Sequence, residues 1–359
     1  GLDASFFQDR AGLGITFYNA RTEEAILRAP LATSTGFEQQ LQNAATIRNR
    51  GVEVNLDVRP LQMGSFTWDV GLNWATNQNR VLDLGDETRE FITMEGGFAS
   101  ATGAAVRGMP IGVLRGADFA RCGRGLTLGG VNIDQACGDA PAGALYIGAN
   151  GFPLLDGTVR VIGDPHPDWT AGIRNTFTFA PALQVSTLID FRKGGEMWNG
   201  TRGALYSYGT HADTEVRATC ATVGGVLTCT GNEHTFGEDI VPGPVAGPGA
   251  GRAVPIGENW WRAGLGSTFG GVNSQFIEDA GYVKLREVAL TYTLPGSFSS
   301  QLGMSSVNVR VSGRNLLTWT DYTGQDPETN TAGGINQRGV DYFNNPQSRT
   351  WLFSVSLNR

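Results

Sequence analysis

The stretch Val307 to Asn330, "VNVRVSGRNLLTWTDYTGQDPETN", decides the fold. Its first half alternates strictly: Val307, Val309, Val311 and Gly313 fall on one face, and Asn308, Arg310, Ser312 and Arg314 on the other. That is the period-2 signature of a strand. Its second half reads as a turn, with Asp326 and Glu328 flanking a proline. In a soluble sandwich the apolar face would meet a core; in a membrane barrel it meets lipid while the polar face lines the lumen.

The same pattern recurs along the chain. Val52, Val54, Leu56 and Val58 alternate with Glu53, Asn55 and Asp57, and Phe66, Trp68, Val70, Leu72 and Trp74 with Thr67, Asp69, Gly71 and Asn73. Later Trp169, Ala171, Ile173, Phe177 and Phe179 alternate with Thr170, Gly172, Arg174, Thr176 and Thr178. Leu183, Val185, Ile189 and Phe191 oppose Gln184, Ser186, Asp190 and Arg192, and Trp351, Phe353, Val355 and Leu357 oppose Ser354, Ser356 and Asn358. Arg and Asp recur on the polar face and are almost absent from the apolar one. The chain is 40% hydrophobic, yet it holds no apolar run of the roughly 18 residues that a spanning helix needs. Its 51 glycines suit a β protein with many turns, and a net charge of -7 without a basic stripe argues against a nucleic-acid partner.

Nine strands are predicted: Leu2 to Gln8, Gly12 to Ile26, Ala44 to Arg59, Phe66 to Asn77, Trp169 to Phe179, Leu183 to Arg192, Tyr282 to Leu294, Ser306 to Thr318 and Thr350 to Asn358. In the seventh the apolar face slips from Val283 and Leu285 to Val288 and Leu290, which predicts a bulge near Glu287. The connections sort into short ones (9–11, 60–65, 180–182, 295–305) and long ones (28–43, 80–167, 195–280, 320–349), in alternation. Outer-membrane barrels show this alternation, with short periplasmic turns and long extracellular loops. The segment Ala105 to Phe119 is read as a hairpin outside the membrane, since one more spanning strand would break it. Closed single-chain barrels have even strand numbers, so nine strands make Gly1 look like a cut within a larger barrel.

Cys122 with Cys137 and Cys220 with Cys229 lie close in sequence, inside long loops. Two local disulfides are the favoured reading; free thiols and zinc are the alternatives, and neither spacing matches a zinc knuckle, nor do His166, His211 and His234 complete one. No metal or cofactor is expected. Asp69, Arg174, Asp190, Arg192, Arg310 and Arg314 should face the lumen, pairing with one another or holding a plug. Trp169, Trp351, Phe66 and Phe179 fit interfacial girdles. Trp198, Tyr206, Tyr208, Trp260 and Trp261 in the third long loop, with Tyr322 and Asp326 in the last, are the substrate-contact candidates; the competing reading is that the loop aromatics pack the loop against itself or against a partner. The Gly-rich "VPGPVAGPGAG" (241–251) reads as flexible loop. As a catalytic pair, Asp326 and Glu328 lack any neighbouring nucleophile and base arrangement in the sequence, so an enzyme is not expected.

Four blocks carry a family resemblance: "TGFEQQLQNAATIRNRGVEVNL" (35–56), "GDPHPDWTAGIRNTFTF" (163–179), "GYVKLREVALTYTLP" (281–295) and "VSGRNLLTWTDYTGQDPETN" (311–330). In this order they resemble the C-terminal half of a SusC-like (RagA-type) TonB-dependent transporter. The resemblance implies a 22-stranded, all-β transmembrane antiparallel barrel in the bacterial outer membrane, of which this chain supplies about nine strands. It implies active import of a bulky nutrient, an oligosaccharide or a peptide, under a SusD-like surface lipoprotein, energised by the TonB complex and gated by an N-terminal plug that, with the other barrel half, is not in this sequence. Outer-membrane lipid would surround it, and two barrels would pair. A passive porin or a surface adhesin is the alternative. The chain departs from the family in stopping at Arg359 rather than on an aromatic residue.

Overall fold

The computed structural model describes residues 1–94, 101–180, 182–331 and 338–359. Nine strands form one antiparallel sheet in chain order: β1 (Leu2–Phe6), β2 (Ala11–Pro30), β3 (Gln39–Met63), β4 (Phe66–Asp83), β5 (Trp169–Phe179), β6 (Leu183–Lys193), β7 (Tyr282–Thr293), β8 (Ser306–Trp319) and β9 (Thr350–Asn358). Each pairs with the strand before and after it, so the sheet is a meander whose edges are β1 and β9.

Register turns the sequence alternation into two surfaces. Leu13, Leu56, Leu72, Ile173, Ile189, Leu285 and Leu317 stand opposite one another across seven strands. One step along, Asn55, Asn73, Gly172, Asp190, Lys284 and Thr318 form a row on the other face. No described residue covers the apolar surface: Phe353 is 77% exposed, and Phe17, Trp319, Trp351 and Val355 are exposed with it. So large an uncovered apolar face is what contact with lipid requires. At the end carrying the tight turns, Phe66 and Phe179 sit opposite each other with ring centroids 5.1 Å apart, as girdle residues do.

The predicted bulge is present. The register of β7 jumps from Leu285 to Glu287 against both β6 and β8, leaving Arg286 as the extra residue. The 28–43 loop is corrected. β2 and β3 stay paired as far as Pro30 and Gln39, so only residues 31–38 connect them. The alternation had faded because register shifts between Thr22 and Ala25 and between Ala25 and Ile26 displace the faces, with Glu24 in the left-handed region at φ 54. The 295–305 connection contains a short helix, Gly296–Gln301. Residue 181, and parts of the 80–167 and 320–349 loops, lie outside the described residues.

The long connections fold into a second layer at one end of the sheet. Phe91–Thr93, Thr102–Val106, Ile111–Phe119 and Leu155–Gly163 make a four-stranded sheet of their own, so the hairpin expected at Ala105 to Phe119 is separate from the nine strands. A three-stranded sheet joins Glu196–Asn199 to Ile277–Asp279 on one side and Val340–Asp341 on the other, tying two long loops together. With them Leu114, Phe119, Trp198, Phe236, Trp260, Phe276 and Val340 form one hydrophobic core from three loops distant in sequence. Both disulfides are formed. Cys122–Cys137 closes a small satellite core, and Cys220–Cys229 links directly opposed residues of a hairpin.

The glycine-rich 241–251 stretch is not a flexible loop. Val245–Ala246 pairs with Leu145–Tyr146, and a Cβ on Gly247 or Gly249 would strike the backbone of Ile147 or Gly148. Its glycines permit close backbone approach.

Two outcomes are expected of the intact protein. Trp260→Ala should cost the loop layer about 3–5 kcal/mol, so limited proteolysis would cut within 195–280 while the nine-stranded sheet stays protected. Alkylation without reductant should leave the mass of all four cysteines unchanged.

Candidate functional site

The opening stretch meets β7 at the rim between the sheet and the loop layer. Lys284, only 3% exposed, places Nζ 2.7 Å from Asp326 Oδ1 and 2.6 Å from Glu328 Oε2. Arg286, turned by the bulge, donates Nε to Asp190 Oδ2 at 2.6 Å and spans both Glu328 oxygens at 2.8 and 2.9 Å. The Tyr282 hydroxyl donates to Glu328 Oε1 at 2.7 Å. Asn315, held at φ 53, accepts from Arg286 and donates to the Ser348 carbonyl. Asp326 accepts from the amides of Glu328 and Gln347.

This arrangement anchors the last long loop to the sheet. Burial acts to raise the Glu328 carboxyl, but hydrogen bonds from Arg286, Lys284 and Tyr282 outweigh it and hold it down at about 2. Glu328 is therefore ionised at neutral pH and has no proton to give. A general acid needs the opposite shift. Lys284, Arg286 and Tyr282 were missed as partners, although the sequence slip at Glu287 had marked where they converge.

All of the polar-face candidates except Arg174 find partners, and none of these is another of the candidates. Asp69 pairs with Arg59 at 2.7 Å, Asp190 with Arg286, and Arg310 and Arg314 share Glu287 at 2.6 and 2.9 Å. Arg192 donates to the Pro165 carbonyl at 2.8 Å. Arg174 has no hydrogen bond or ion pair with any described residue.

The substrate-contact candidates separate by burial. Trp198 is 1% exposed and sealed inside the loop core; Asp326 is locked to Lys284; the buried Tyr322 donates its hydroxyl to Asp341 Oδ2 at 2.7 Å. Burial first, then Asp341, pushes the Tyr322 hydroxyl far above the ordinary tyrosine range. Tyr322 is thus closed to a ligand, whereas its neighbour Trp319 is exposed. Packing, the competing reading of the loop aromatics, accounts for these residues because three loops share one core. Tyr206, Trp260 and Trp261 are also mostly buried, but they line a cavity of about 500 Å³ with Arg202, Asp239 and Gln275. Tyr206 donates to Asp213 Oδ2 at 2.5 Å. Tyr208 alone of the seven is exposed, at 61%, with its ring 6.1 Å from that of Phe269.

Each histidine sits beside an aspartate in a loop. His166 Nδ1 is 2.7 Å from Asp164, His234 Nδ1 is 2.5 Å from Asp239, and His211 accepts from the Asp213 amide. Among the described residues no three metal-ligating side chains converge.

No protein-family model matches the sequence. Over 372 residues, covering all of this chain, it is 30% identical to the TonB-dependent receptor P3 of Formosa agariphila. It is 21% identical to the TonB-dependent receptor SusC of Bacteroides thetaiotaomicron over 99% of the chain. The fold matches the structure of the RagAB peptide transporter with a TM-score of 0.62, at 19% identity over 99% of the chain. The chain spans 33%, 31% and 34% of those proteins respectively, about a third of each.

The rim network gives a pH prediction. Because the Glu328 pKa is depressed in the folded state, its contribution is complete above the ordinary 4.5 and is lost as pH falls toward about 2. The protection factors for hydrogen exchange at 320–331 should stay high down to about pH 4.5 and fall below it. Glu328→Gln, which leaves two cations short of a partner, should loosen the same segment by about 3–5 kcal/mol at pH 7.

Proposed function

Taking the chain as part of the barrel of a SusC-like TonB-dependent outer-membrane transporter, we propose that it forms one wall of a pore importing a bulky nutrient, with the folded loop layer on the extracellular side. The observation that carries this is the nine-stranded meander with an uncovered apolar face and its long connections gathered at one end. In hydrocarbon every backbone polar group must be paired, so strands can cross only as members of a closed barrel. Twenty-two strands would complete it, with a plug inside.

The relatives are receptors and transporters rather than enzymes. Their names support a proton-motive-force-driven cycle through TonB and a SusD-like lipoprotein seated over the loop layer. The RagAB relative is a peptide transporter, and oligosaccharide and peptide are both kept as the substrate class. Within this chain the cavity beside Tyr206, Trp260 and Trp261, with exposed Tyr208 nearby, is the proposed contact point. Aromatic faces there can stack on a sugar ring or a peptide side chain, and Arg202, Asp239 and Gln275 can hydrogen-bond it. The polar faces of β3 to β8 would line the lumen.

A strain lacking the complete transporter, complemented with the full-length gene, should take up oligosaccharides or oligopeptides too large for porins, and should stop when the proton-motive force is collapsed. Uptake that survives the collapse would identify a passive pore instead. In the same assay Tyr208→Ala should weaken uptake by about fivefold to tenfold if it stacks on substrate, a loss of roughly 1 kcal/mol of aromatic contact.

A further inference from the structure

Above the apolar band, the outward face of β2, β3 and β4 changes in a fixed order. Phe17, Val52 and Thr76 stand opposite one another, and two residues higher come Asn19, Arg50 and Gln78. Two residues higher again, Arg21, Arg48 and Arg80 face each other directly across three strands. Alternation keeps all of these on the face of Leu13, Leu56 and Leu72. These strands have 20, 25 and 18 residues, well beyond the roughly 9–11 that cross a bilayer. A strand tilted by about 40° climbs roughly 2.5 Å per residue along the normal, so the roughly ten steps from Ala11 to Arg21 span about 25 Å, the height of an outer-membrane apolar band. The arginine row therefore stands at headgroup level.

Like charges directly opposite one another destabilise a sheet. Arg21 is relieved by Glu23 at 3.0 Å, and Arg50 donates twice to Gln78 Oε1. Arg48 and Arg80 make no hydrogen bond or ion pair with any described residue. They line an open groove of about 400 Å³ between the top of β4 and the segment leading into β5. The groove also holds two acids, Asp164 and Asp168. Asp164 accepts from the His166 amide and lies against its ring, while the Asp168 carboxylate, near Gly194, makes no hydrogen bond or ion pair with any described residue. Two guanidinium groups without a partner among the described residues, in a row of three, describe a place for a doubly charged anion.

We propose that Arg48 and Arg80, flanked by Arg21 and Arg50, bind the phosphate of a phosphorylated lipid in the outer leaflet, whose acyl chains lie along the apolar rows directly beneath. Continuity with those rows on the same three strands selects a lipid over free phosphate. The inference rests on the membrane reading of the apolar face and is independent of what is transported.

The test uses the complete transporter in detergent micelles, with native mass spectrometry counting bound lipid A, monophosphorylated or enzymatically dephosphorylated, against inorganic phosphate. Wild type should hold phosphorylated lipid A and lose it on dephosphorylation. R48Q/R80Q should bind it about 25-fold more weakly, roughly fivefold per arginine, while R48K/R80K, which keeps the charge, retains most of the affinity and shows that the barrel is intact. Equal binding by R48Q/R80Q, or equal binding of the dephosphorylated lipid, would overturn the proposal. So would protection by inorganic phosphate alone, which would mark a simple anion site, or loss of a protein partner from R48Q/R80Q with lipid binding unchanged.

Discussion

Backbone hydrogen bonding in a medium without water is the constraint from which the rest of this structure follows. A strand in hydrocarbon has no solvent partner for its amides and carbonyls, so each must lie between two others. The register through β2 to β8 meets that demand nearly without a break. Where it breaks, the bulge is used: Arg286 at β7 and Asn315 at β8 are turned from the ladder into the rim network. With the backbone committed to the ladder, the two faces are free to differ. One is apolar and uncovered, and the other carries charges that all need partners or water.

Past the membrane the constraint changes, since water returns and ordinary folding rules apply. Three long loops then bury Trp198, Trp260, Phe119, Phe236 and Phe276 in one core, and buried ion pairs fasten it to the sheet. Such pairs contribute little net stability while costing much when one member is removed. Their effect is to fix position: Asp326 and Glu328 can reach Lys284 and Arg286 only in one placement of the last loop. A fixed loop layer is a rigid surface on which a substrate or a covering partner can be recognised.

Much of this was legible in the sequence, for a physical reason. A strand's side-chain period is two and a lipid-facing strand shows its apolar half openly, so Trp169–Phe179 and Thr350–Asn358 emerge with the bounds that the alternation gives. The slip after Leu285 pointed to the bulge for the same reason. Alternation failed at Glu23 to Ile26, where register shifts move the faces while pairing continues to Pro30. It also failed to show that the glycines at 247 and 249 allow close packing rather than freedom.

The sequence by itself determined the class of fold, the number of strands and the two faces of the sheet, because each is set by residues near one another in the chain. Only the tertiary structure decided which aromatics are available. Trp198 and Tyr208 are ten residues apart and look alike as candidates, yet one is sealed and the other exposed. Likewise, Asp326 and Glu328 look like a catalytic pair until Lys284 and Arg286, some forty residues earlier, are seen to hold them. Burial and ion pairing across loops depend on contacts between distant segments, and no local pattern encodes those.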